Sequence, residues 1–553
     1  MYIRTVTVKT KNGPLEYVQL AHNHRDPKTR RSKTRVLFNF GRADRVDREA
    51  IRRLIKSLAK LLGPEEAAEI HKPLGAEFGF EFLGARELGG SWLLDGMWKR
   101  LRIGAVIKKL LAEREYRTSV ERLLFAMVAN RALNPGSKLS LEDWVAEEVS
   151  IEGLPAVEVH QLYRAMDFPL EASSEIQREV FFSVANLFNL EVDLIFLDTT
   201  TTYFEIEGED GEDGLRRYGY SKDERSDLAQ VMIAFAVTKT GIPVRCWVFP
   251  GKTANREIVA QVKQDLNDWH LGRVVMVQDA GFNSEANRRV LQGAGGHYII
   301  GEKMRLGPEG VPHEALSRAG RYRELPNGLL AKEVIVGGDS EARRRFVVVY
   351  NPEEAERDKK KRQDILEEVE KRLGELNQLA GALHRKAACE LRSHPVYGRY
   401  LRQKPTGELE IDREKIEAEE HLDGKYLLST SDDLLSVEDV VLGYKQLFEV
   451  ERVFRDLKHL IDIRPVYHRR PERIKAHVLV WFLAMLLLRV AENETGLTWR
   501  KMKKELSTLQ VAVHRTASGE VWQTNGLRSE AKSILEQLKI KPPPRFYALK
   551  PEA

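Results

Sequence analysis

The sequence has few cysteines and no long apolar run. Among its 553 residues only Cys246 and Cys389 are cysteines, which excludes a disulfide framework and a cysteine-built zinc site and suits a reducing compartment. The longest apolar run, Val478 to Leu488, has eleven residues, whereas a membrane-spanning helix needs about twenty. The first residues, MYIRTVTVK, lack the apolar core of a secretion signal. We therefore expect a cytoplasmic protein with no membrane partner, associated with the nucleoid if the source is prokaryotic.

A large excess of one charge sign is also missing. The formal net charge is +5, so a polyanionic partner is permitted but not required. The composition, with 42% hydrophobic and 31% charged residues, is that of a soluble globular protein. A chain of this length is expected to divide into about three or four domains.

Two short apolar runs are each followed by an aspartate. The run Leu194 to Leu197 is rich in β-forming residues and precedes Asp198, and the run Val274 to Val277 precedes Asp279. Such runs are typical of strands buried on both faces, and open α/β sheets place ligands at the carboxyl ends of these strands. If the strands are neighbours, both acids lie at one edge of the sheet and suit Mg²⁺ or Mn²⁺. Aspartates that only cap turns are the alternative interpretation.

The segment YKQLFEVERVFRDLK, residues 444–458, has the apolar spacing of an amphipathic helix. Tyr444, Glu451 and Lys458 share a stripe at the border of its apolar side. Charged residues such as Glu451 and Lys458 at the border of the core indicate a functional role. The alternative is that they belong to an ordinary solvated helix face.

The order of these elements resembles the ribonuclease H-like core of insertion-sequence DDE transposases. That core has a strand with Asp, a hairpin, a helix, a second strand with Asp, a large insertion and a helix with Glu. One group of these enzymes carries Tyr, two residues, Arg, three residues, Glu, six residues and Lys on the helix. This chain has Tyr444, Glu451 and Lys458 at those spacings, but Leu447 stands in place of the arginine. The stretches GYSKDERSDLAQ and RPVYHRRPERIKAH also look like this group.

The resemblance implies a fold, a reaction and a site. The fold is α/β, with a ribonuclease H-like catalytic core interrupted by a large insertion, a small N-terminal β unit and additional helical regions. The reaction is metal-dependent cleavage at transposon ends and transfer of the 3′-hydroxyl into target DNA. Asp198, Asp279 and Glu451 would be the catalytic and metal-binding residues, with two Mg²⁺ or Mn²⁺ ions per site. Thr199 to Thr202 would be polar residues of the turn that follows the first strand.

DNA is the partner that the resemblance implies, in the form of transposon terminal inverted repeats and target DNA bound by a homodimer. Residues of the catalytic helix and of nearby loops are expected to contact it, and ordinary surface charge is the alternative for each basic residue. These residues are Tyr444, Arg455, Lys458, Lys222, Arg225, His468, Arg469, Arg470, Arg473 and Lys475.

Changes between helix-like and strand-like spacing of apolar residues along the sequence predict six regions. The long mixed segment after the second aspartate is not expected to continue the sheet. The regions are a small β unit with a possible DNA contact (1–45), a helical DNA-binding or dimerisation region (46–190), the first part of the core (191–301), an insertion domain (302–424), the second part of the core with the glutamate helix (425–490) and a C-terminal helical region (491–553).

Two other functions stay open from the sequence. One is a structure-specific nuclease with a ribonuclease H-like fold, and the other is a transposase-derived DNA-binding protein without activity. The Tyr/Glu/Lys helix argues against the first and the three acids against the second, although Leu447 leaves room for it. The second DNA strand could be cut directly or through a DNA hairpin. All eight tryptophans lie outside 302–424, which favours direct cleavage.

Overall fold

The structure is a computed structural model that describes residues 1–10, 13–25, 32–59, 81–112, 114, 119–188, 190, 193–206, 208–212, 214–219, 225–271, 274–304, 311–337, 343–447, 451, 466, 468–516 and 519–551. The strands of these residues are β1 (Tyr2–Thr10), β2 (Gly13–Arg25), β3 (Ser32–Arg42), β4 (Glu81–Glu87), β5 (Leu194–Tyr203), β6 (Gln230–Thr238), β7 (Pro243–Pro250), β8 (Val275–Gln278), β9 (His297–Gly301), β10 (Arg323–Glu324), β11 (Leu330–Val336), β12 (Arg344–Tyr350), β13 (Leu401–Gln403), β14 (Leu409–Ile411), β15 (Lys425–Thr430), β16 (Gln510–Thr516), β17 (Gly519–Thr524) and β18 (Phe546–Pro551).

Helices connect and cover these strands, so the fold is mixed α/β. Local side-chain hydrogen bonds help to set where helices begin. Asn351, for example, accepts a hydrogen bond from the backbone N–H of Glu353 (3.1 Å) and so caps the helix that begins at Pro352. The α-helices of the described residues are Arg48–Ala59, Gly89–Arg100, Ile103–Leu111, Val120–Leu133, Lys138–Asp143, Val159–Ala165, Asp167–Glu171, Ser173–Phe188, Asn255–Asn267, Glu285–Gln292, Val311–Ser317, Pro352–Leu376, Gly381–Ser393, Arg413–Glu420, 437–447, Pro471–Thr495, Trp499–Leu506 and Ser529–Gln537.

The chain forms two compact units. The first comprises Met1–Gly89, Ser507–Lys532 and Lys541–Ala553, and the second comprises Gly90–Leu506 and Ser533–Ile540. In the first unit, β1, β2 and β3 form an antiparallel sheet, and a separate four-stranded sheet has the order β18-β17-β16-β4.

The four-stranded sheet corrects the expectation of a helical C-terminal region. β16 pairs antiparallel with both β17 and β4, and β17 pairs with β18. The reason is an alternation of apolar and polar residues in QVAVHRT, where Val511 and Val513 are buried. This period of two suits a strand and not a helix.

The second unit contains a nine-stranded sheet with the order β10-β11-β12-β15-β9-β8-β5-β6-β7. β5, β6 and β7 are antiparallel neighbours, whereas β5, β8 and β9 run parallel to one another. One face of this part of the sheet packs against helices Asn255–Asn267, Glu285–Gln292 and Ser173–Phe188 in a single hydrophobic core.

The segment 302–424 does continue the sheet, contrary to the sequence-based expectation. β15 pairs with β9 on one side and with β12 on the other, so β10, β11 and β12 extend the same sheet. A second core forms there, in which Phe346 and Val348 pack with Leu427. Helices Pro352–Leu376 and Gly381–Ser393 and the small β13-β14 sheet lie between β12 and β15 in the chain.

Helix Pro471–Thr495 is buried on all sides along its middle, residues 476–488. Among the described residues it is the one helix long and apolar enough to cross a membrane by length and composition, but 89% of its apolar window is buried inside the protein. Trp481 of this helix packs on Phe235 of β6, with ring centroids 4.9 Å apart. Its apolar surface therefore faces protein.

Candidate active site

Asp198 lies inside β5 and not at its carboxyl end, which corrects the sequence-based expectation. β5 continues to Tyr203 because the residues after Asp198 pair with β6, in a register that places Asp198 opposite Phe235. Thr199–Thr202 are buried, so they are strand residues and not turn residues. Their β-branched side chains favour this extended backbone. The backbone N–H of Thr199 donates a hydrogen bond to Asp198 Oδ1 (2.7 Å).

Asp279 follows directly after β8, at the strand-end position that the sequence predicts. Its Oδ1 accepts a hydrogen bond from the backbone N–H of Gly281 (3.0 Å), and so Asp279 caps the short turn Ala280–Phe282. The Asn255 side chain donates to the carbonyl of Gly281 (3.1 Å). The turn is therefore held at both its amide and its carbonyl groups.

The parallel register of the strands aligns the two aspartates. Phe196 of β5 is paired with Val277 of β8, and continuing this register by two residues puts Asp198 opposite Asp279. Continuing the register of β8 with β9 puts Asp279 beside Gly301. Neighbouring strands lie about 4.8 Å apart. Asp198, Asp279 and Gly301 thus form a row across three adjacent strands.

Asp198 and Asp279 point to the same face of the sheet, because each lies an odd number of residues from a core residue of its strand, Leu197 and Met276 respectively. Leu197, which precedes Asp198, belongs to the hydrophobic core on one face, and successive side chains of a strand alternate between faces. Asp198 therefore points to the opposite face. Helix 437–447 covers that face, because a Cβ atom added at Gly443 would lie 3.2 Å from the side chain of Leu194.

Tyr444 of this helix reaches the row of aspartates. A Cβ atom added at Gly301 would lie 2.2 Å from the Tyr444 hydroxyl oxygen and 3.3 Å from the backbone nitrogen of Ala280. Burial raises the pKa of the Tyr444 hydroxyl well above its usual value, and the charges of Asp279 and Glu451 raise it further. Glu451 is itself helical and half-buried. Both carboxylates thus interact electrostatically with the hydroxyl group.

Asp198, Asp279 and Glu451 offer carboxylate oxygens from two adjacent strands and one helix, and this oxygen-only donor set suits Mg²⁺ or Mn²⁺. Within the described part of the chain, however, no three Asp, Glu, His or Cys side chains are gathered closely enough to hold a metal ion. The donor chemistry fits such an ion, and joint coordination requires the three carboxylates to come closer together.

The residues predicted to contact DNA differ in exposure. Tyr444 is buried, whereas Arg225 is partly exposed, forms an ion pair with Asp227 (2.9 Å) and lies over the ring of Tyr203 at the end of β5. DNA contacts by these residues stay predictions. Lys222, Arg455 and Lys458 lie outside the described residues.

Residues 468–475, which lead into helix Pro471–Thr495 and form its first turn, carry the other predicted DNA contacts. Arg469, Arg470 and Lys475 are exposed. His468 is half-buried, and Arg473 forms an ion pair with an aspartate of a neighbouring helix. The structure thus leaves three cations of this segment accessible to a partner.

Leu447 is buried, with 2% of its surface exposed. The residue that replaces the arginine of the resembling group therefore packs in the protein interior, where a charged side chain would be costly.

Sequence reasoning missed a polar network at the end of β9. The buried Glu302 accepts hydrogen bonds from Asn283 (2.5 Å) and Arg288 (3.2 Å), and Asn283 also donates to the carbonyl of Gly301 (3.0 Å). The available signal was a third apolar strand, HYIIG, that ends in glycine and glutamate. This network fixes the turn after Asp279 to the end of β9.

Comparison with known families assigns the chain. The family described as "Transposase DDE domain" matches residues 193–487, which is more than half of the chain and spans all three candidate acids. The chain belongs to the DDE transposases. The family described as "IS1634 family transposase, N-terminal domain" matches residues 3–69 of this transposase. No curated protein matches the transposase significantly.

The solved structures that resemble this transposase share little sequence identity with it. A piggyBac transposase synaptic complex with hairpin DNA shares 10% identity over 74% of this chain and 79% of its own, with a TM-score of 0.36. A Mos1 transposase paired-end complex with the left transposon end shares 14% identity over 36% of this chain and 57% of its own, with a TM-score of 0.14. A Mos1 mariner paired-end complex with Mn shares 15% identity over 35% of this chain and 57% of its own. Its TM-score is also 0.14.

Proposed function

We propose that this DDE transposase cuts DNA at transposon ends and joins the freed 3′-hydroxyl to target DNA, with a divalent metal ion as cofactor. The observation that most directly supports the proposal is the alignment of Asp198 with Asp279 on the sheet face that helix 437–447 covers. The strand order β7-β6-β5-β8-β9, with three antiparallel strands followed by two that run parallel to β5, supports a ribonuclease H-like core.

Asp198, Asp279 and Glu451 would hold two Mg²⁺ or Mn²⁺ ions. When bound, such ions lower the pKa of an attacking water and stabilise the leaving oxygen. The protein's own contribution is orientation: the N–H groups of Thr199 and Gly281 each hold one aspartate oxygen (2.7 and 3.0 Å).

Both chemical steps exchange one phosphoester bond. In the first step, water attacks the phosphorus at the transposon end and the bond to the 3′-oxygen breaks. The nick then has a 3′-hydroxyl on one side and a 5′-phosphate on the other. In the second step, that 3′-hydroxyl attacks a phosphodiester of target DNA and displaces the target 3′-oxygen. Neither step needs a covalent bond between protein and DNA.

The experiment that tests the proposal maps nicks on duplex DNA that carries the flanking terminal sequence of the element, with and without Mg²⁺. We predict nicks at the 3′ ends of the element with wild type, and none after Asp198→Asn or Asp279→Asn, because each variant removes a carboxylate but preserves its volume. The matched control is Asp193→Asn, since Asp193 is exposed just before β5. Equal nicking by Asp279→Asn and wild type would refute the proposal, and DNA binding without any nicking would indicate an inactive transposase.

A further inference from the structure

The three-stranded sheet of the first unit has a covered face and an open face. Along β2, successive side chains alternate between the faces, and residues directly opposite one another on paired strands share a face. Ala21 of β2 is fully buried and so marks the covered face. Leu20 points the other way, together with Ile3 and Phe38 opposite it. Ile3 and Phe38 are 57% and 58% exposed, so their face is open to solvent.

Basic side chains occupy the open face where β2 and β3 extend beyond this row. His22 lies opposite Arg35, and His24 lies opposite Lys33. His22 and His24 follow Leu20 in steps of two along β2, so both pairs point to the same side as Leu20. All four basic side chains are exposed.

The four residues lie on a two-stranded ribbon. The pairing of β1 with β2 ends at Tyr2 and Ala21, whereas β2 and β3 stay paired as far as Arg25 and Ser32. The backbones of two paired strands lie about 4.8 Å apart. The major groove of B-DNA is about 12 Å wide and admits a two-stranded ribbon. The shape of this part of the sheet therefore fits duplex DNA.

The polar residues of the covered face bond to one another instead. Asn23 Oδ1 accepts hydrogen bonds from the hydroxyl groups of Tyr2 (2.9 Å) and Thr34 (2.8 Å). Arg4 donates twice to Gln19 Oε1 (3.2 and 2.9 Å). The covered face thus uses these polar groups within the sheet.

The open face does not balance its cations across the strands. Pairs of opposite charge across two strands stabilise a sheet, but Lys33 and Arg35 each lie opposite an imidazole and not a carboxylate. Among the described residues of β1, β2 and β3, the one carboxylate on the open face is that of Glu16. Glu16 lies near the other end of β2, about 20 Å from His22 at about 3.4 Å per residue. The ribbon therefore presents a cationic end to an external anion.

We propose that the open face of the β2-β3 ribbon, at His22, His24, Lys33 and Arg35, binds the phosphate backbone of duplex DNA. The proposal rests on the proposed function, which supplies DNA as the partner, and it gives the possible DNA contact of residues 1–45 a defined surface. Lys33 and Arg35 supply the charge that phosphates attract, and the ring nitrogens of the histidines supply further hydrogen-bonding groups.

The double variant Lys33→Gln with Arg35→Gln tests the surface, because it removes both cations and keeps polar side chains at exposed positions. The double variant should bind short duplex DNA about tenfold more weakly. Each lost phosphate contact lowers the slope of log K against log salt by about 0.9, so the magnitude of the slope should fall by about 1.8. The loss should be equal for terminal DNA and for DNA of arbitrary sequence, since phosphates carry no sequence information.

The charge-preserving exchange Lys33→Arg with Arg35→Lys should keep the slope of wild type. If the double glutamine variant does not fold, Arg35→Gln alone should lower the magnitude of the slope by about 0.9. An unchanged affinity and slope would overturn the proposal. A loss confined to terminal DNA would contradict the phosphate contact.

The matched control is Arg4→Gln with Arg42→Gln, which removes the same charge from the covered face of the same sheet. Arg42 lies opposite Tyr17, in steps of two from Ala21, and forms an ion pair with Asp44 (2.8 Å). The control should keep the slope of wild type. An equal fall in both double variants would show a general effect of net charge and would overturn the proposal.

Failure of this proposal is distinguishable from failure of the proposed function. If wild type binds and cuts DNA with the same salt slope as the double glutamine variant, the surface is wrong and the transposase activity stands. If the slope falls in the variant but wild type cuts no terminal DNA, the surface stands and the proposed catalysis fails. If wild type binds no DNA, both are wrong. If the variant changes only the oligomeric state of the DNA-free protein, the open face joins two chains and the DNA surface is wrong.

Discussion

At the residue scale, the contact between Gly301 and Tyr444 constrains the candidate site closely. A methyl group at position 301 would lie 2.2 Å from the Tyr444 hydroxyl oxygen and 3.3 Å from the nitrogen of Ala280, which follows Asp279. We predict that Gly301→Ala destabilises the protein by about 1–3 kcal/mol through overpacking. It should also lower nicking about 10- to 100-fold, since small misplacements of catalytic groups are costly. Thermal denaturation and nicking assays measure the two effects.

The double variant Gly301→Ala with Tyr444→Phe should recover part of the stability, because removal of the hydroxyl removes the closest contact and leaves a ring carbon at 3.0 Å. Gly374→Ala is the matched control: Gly374 lies in helix Pro352–Leu376 with open space around it, so alanine should be neutral or stabilising there. Wild-type stability and nicking in Gly301→Ala would contradict the tight contact.

At the scale of elements, the apolar runs predict the strands but not all of their ends or partners. Asp279 is predictable because an apolar run stops there before glycine. The position of Asp198 inside its strand is not predictable from the sequence. The threonines that follow it are polar, and they form a strand only because the long β6 pairs with them. The extension of the sheet by β12 is not predictable either, since β15 joins it to β9 from more than 120 residues away in sequence.

The inserted segment bears on how the second DNA strand is cut. Of its aromatic rings, Phe346 and Tyr400 are each only 1% exposed, and Tyr397 stacks on His394 (4.1 Å) with Arg372 over it (4.7 Å). A DNA hairpin needs a flipped base on an exposed ring, which repays the unstacking cost of a few kcal/mol.

We therefore predict direct cleavage of the second strand. Denaturing gels of cleaved ends should show two separate strands and no snap-back product of double length. A snap-back product that disappears after Tyr397→Ala would show that a ring of the inserted segment supports a hairpin instead.

At the scale of the whole molecule, joining two transposon ends requires two active sites, so we predict a complex of two protein chains with two DNA ends, related by C₂ symmetry. Light scattering of the complex gives its stoichiometry. Binding should weaken steeply between about 50 and 200 mM salt, because phosphate contacts release counterions. A complex with one chain that still joins strands would contradict the dimer.

The central claim is that Asp198, Asp279 and Glu451 form one metal site, and a structure of the transposase with terminal DNA and Mn²⁺ tests it most directly. Anomalous scattering locates the ions independently of the protein atoms. We predict two Mn²⁺ ions about 3.5–4 Å apart, bound by all three carboxylates, whose oxygens then lie roughly 4–8 Å from one another across the ion pair. Ions bound elsewhere, or carboxylates that stay well beyond this range in the loaded complex, would contradict it.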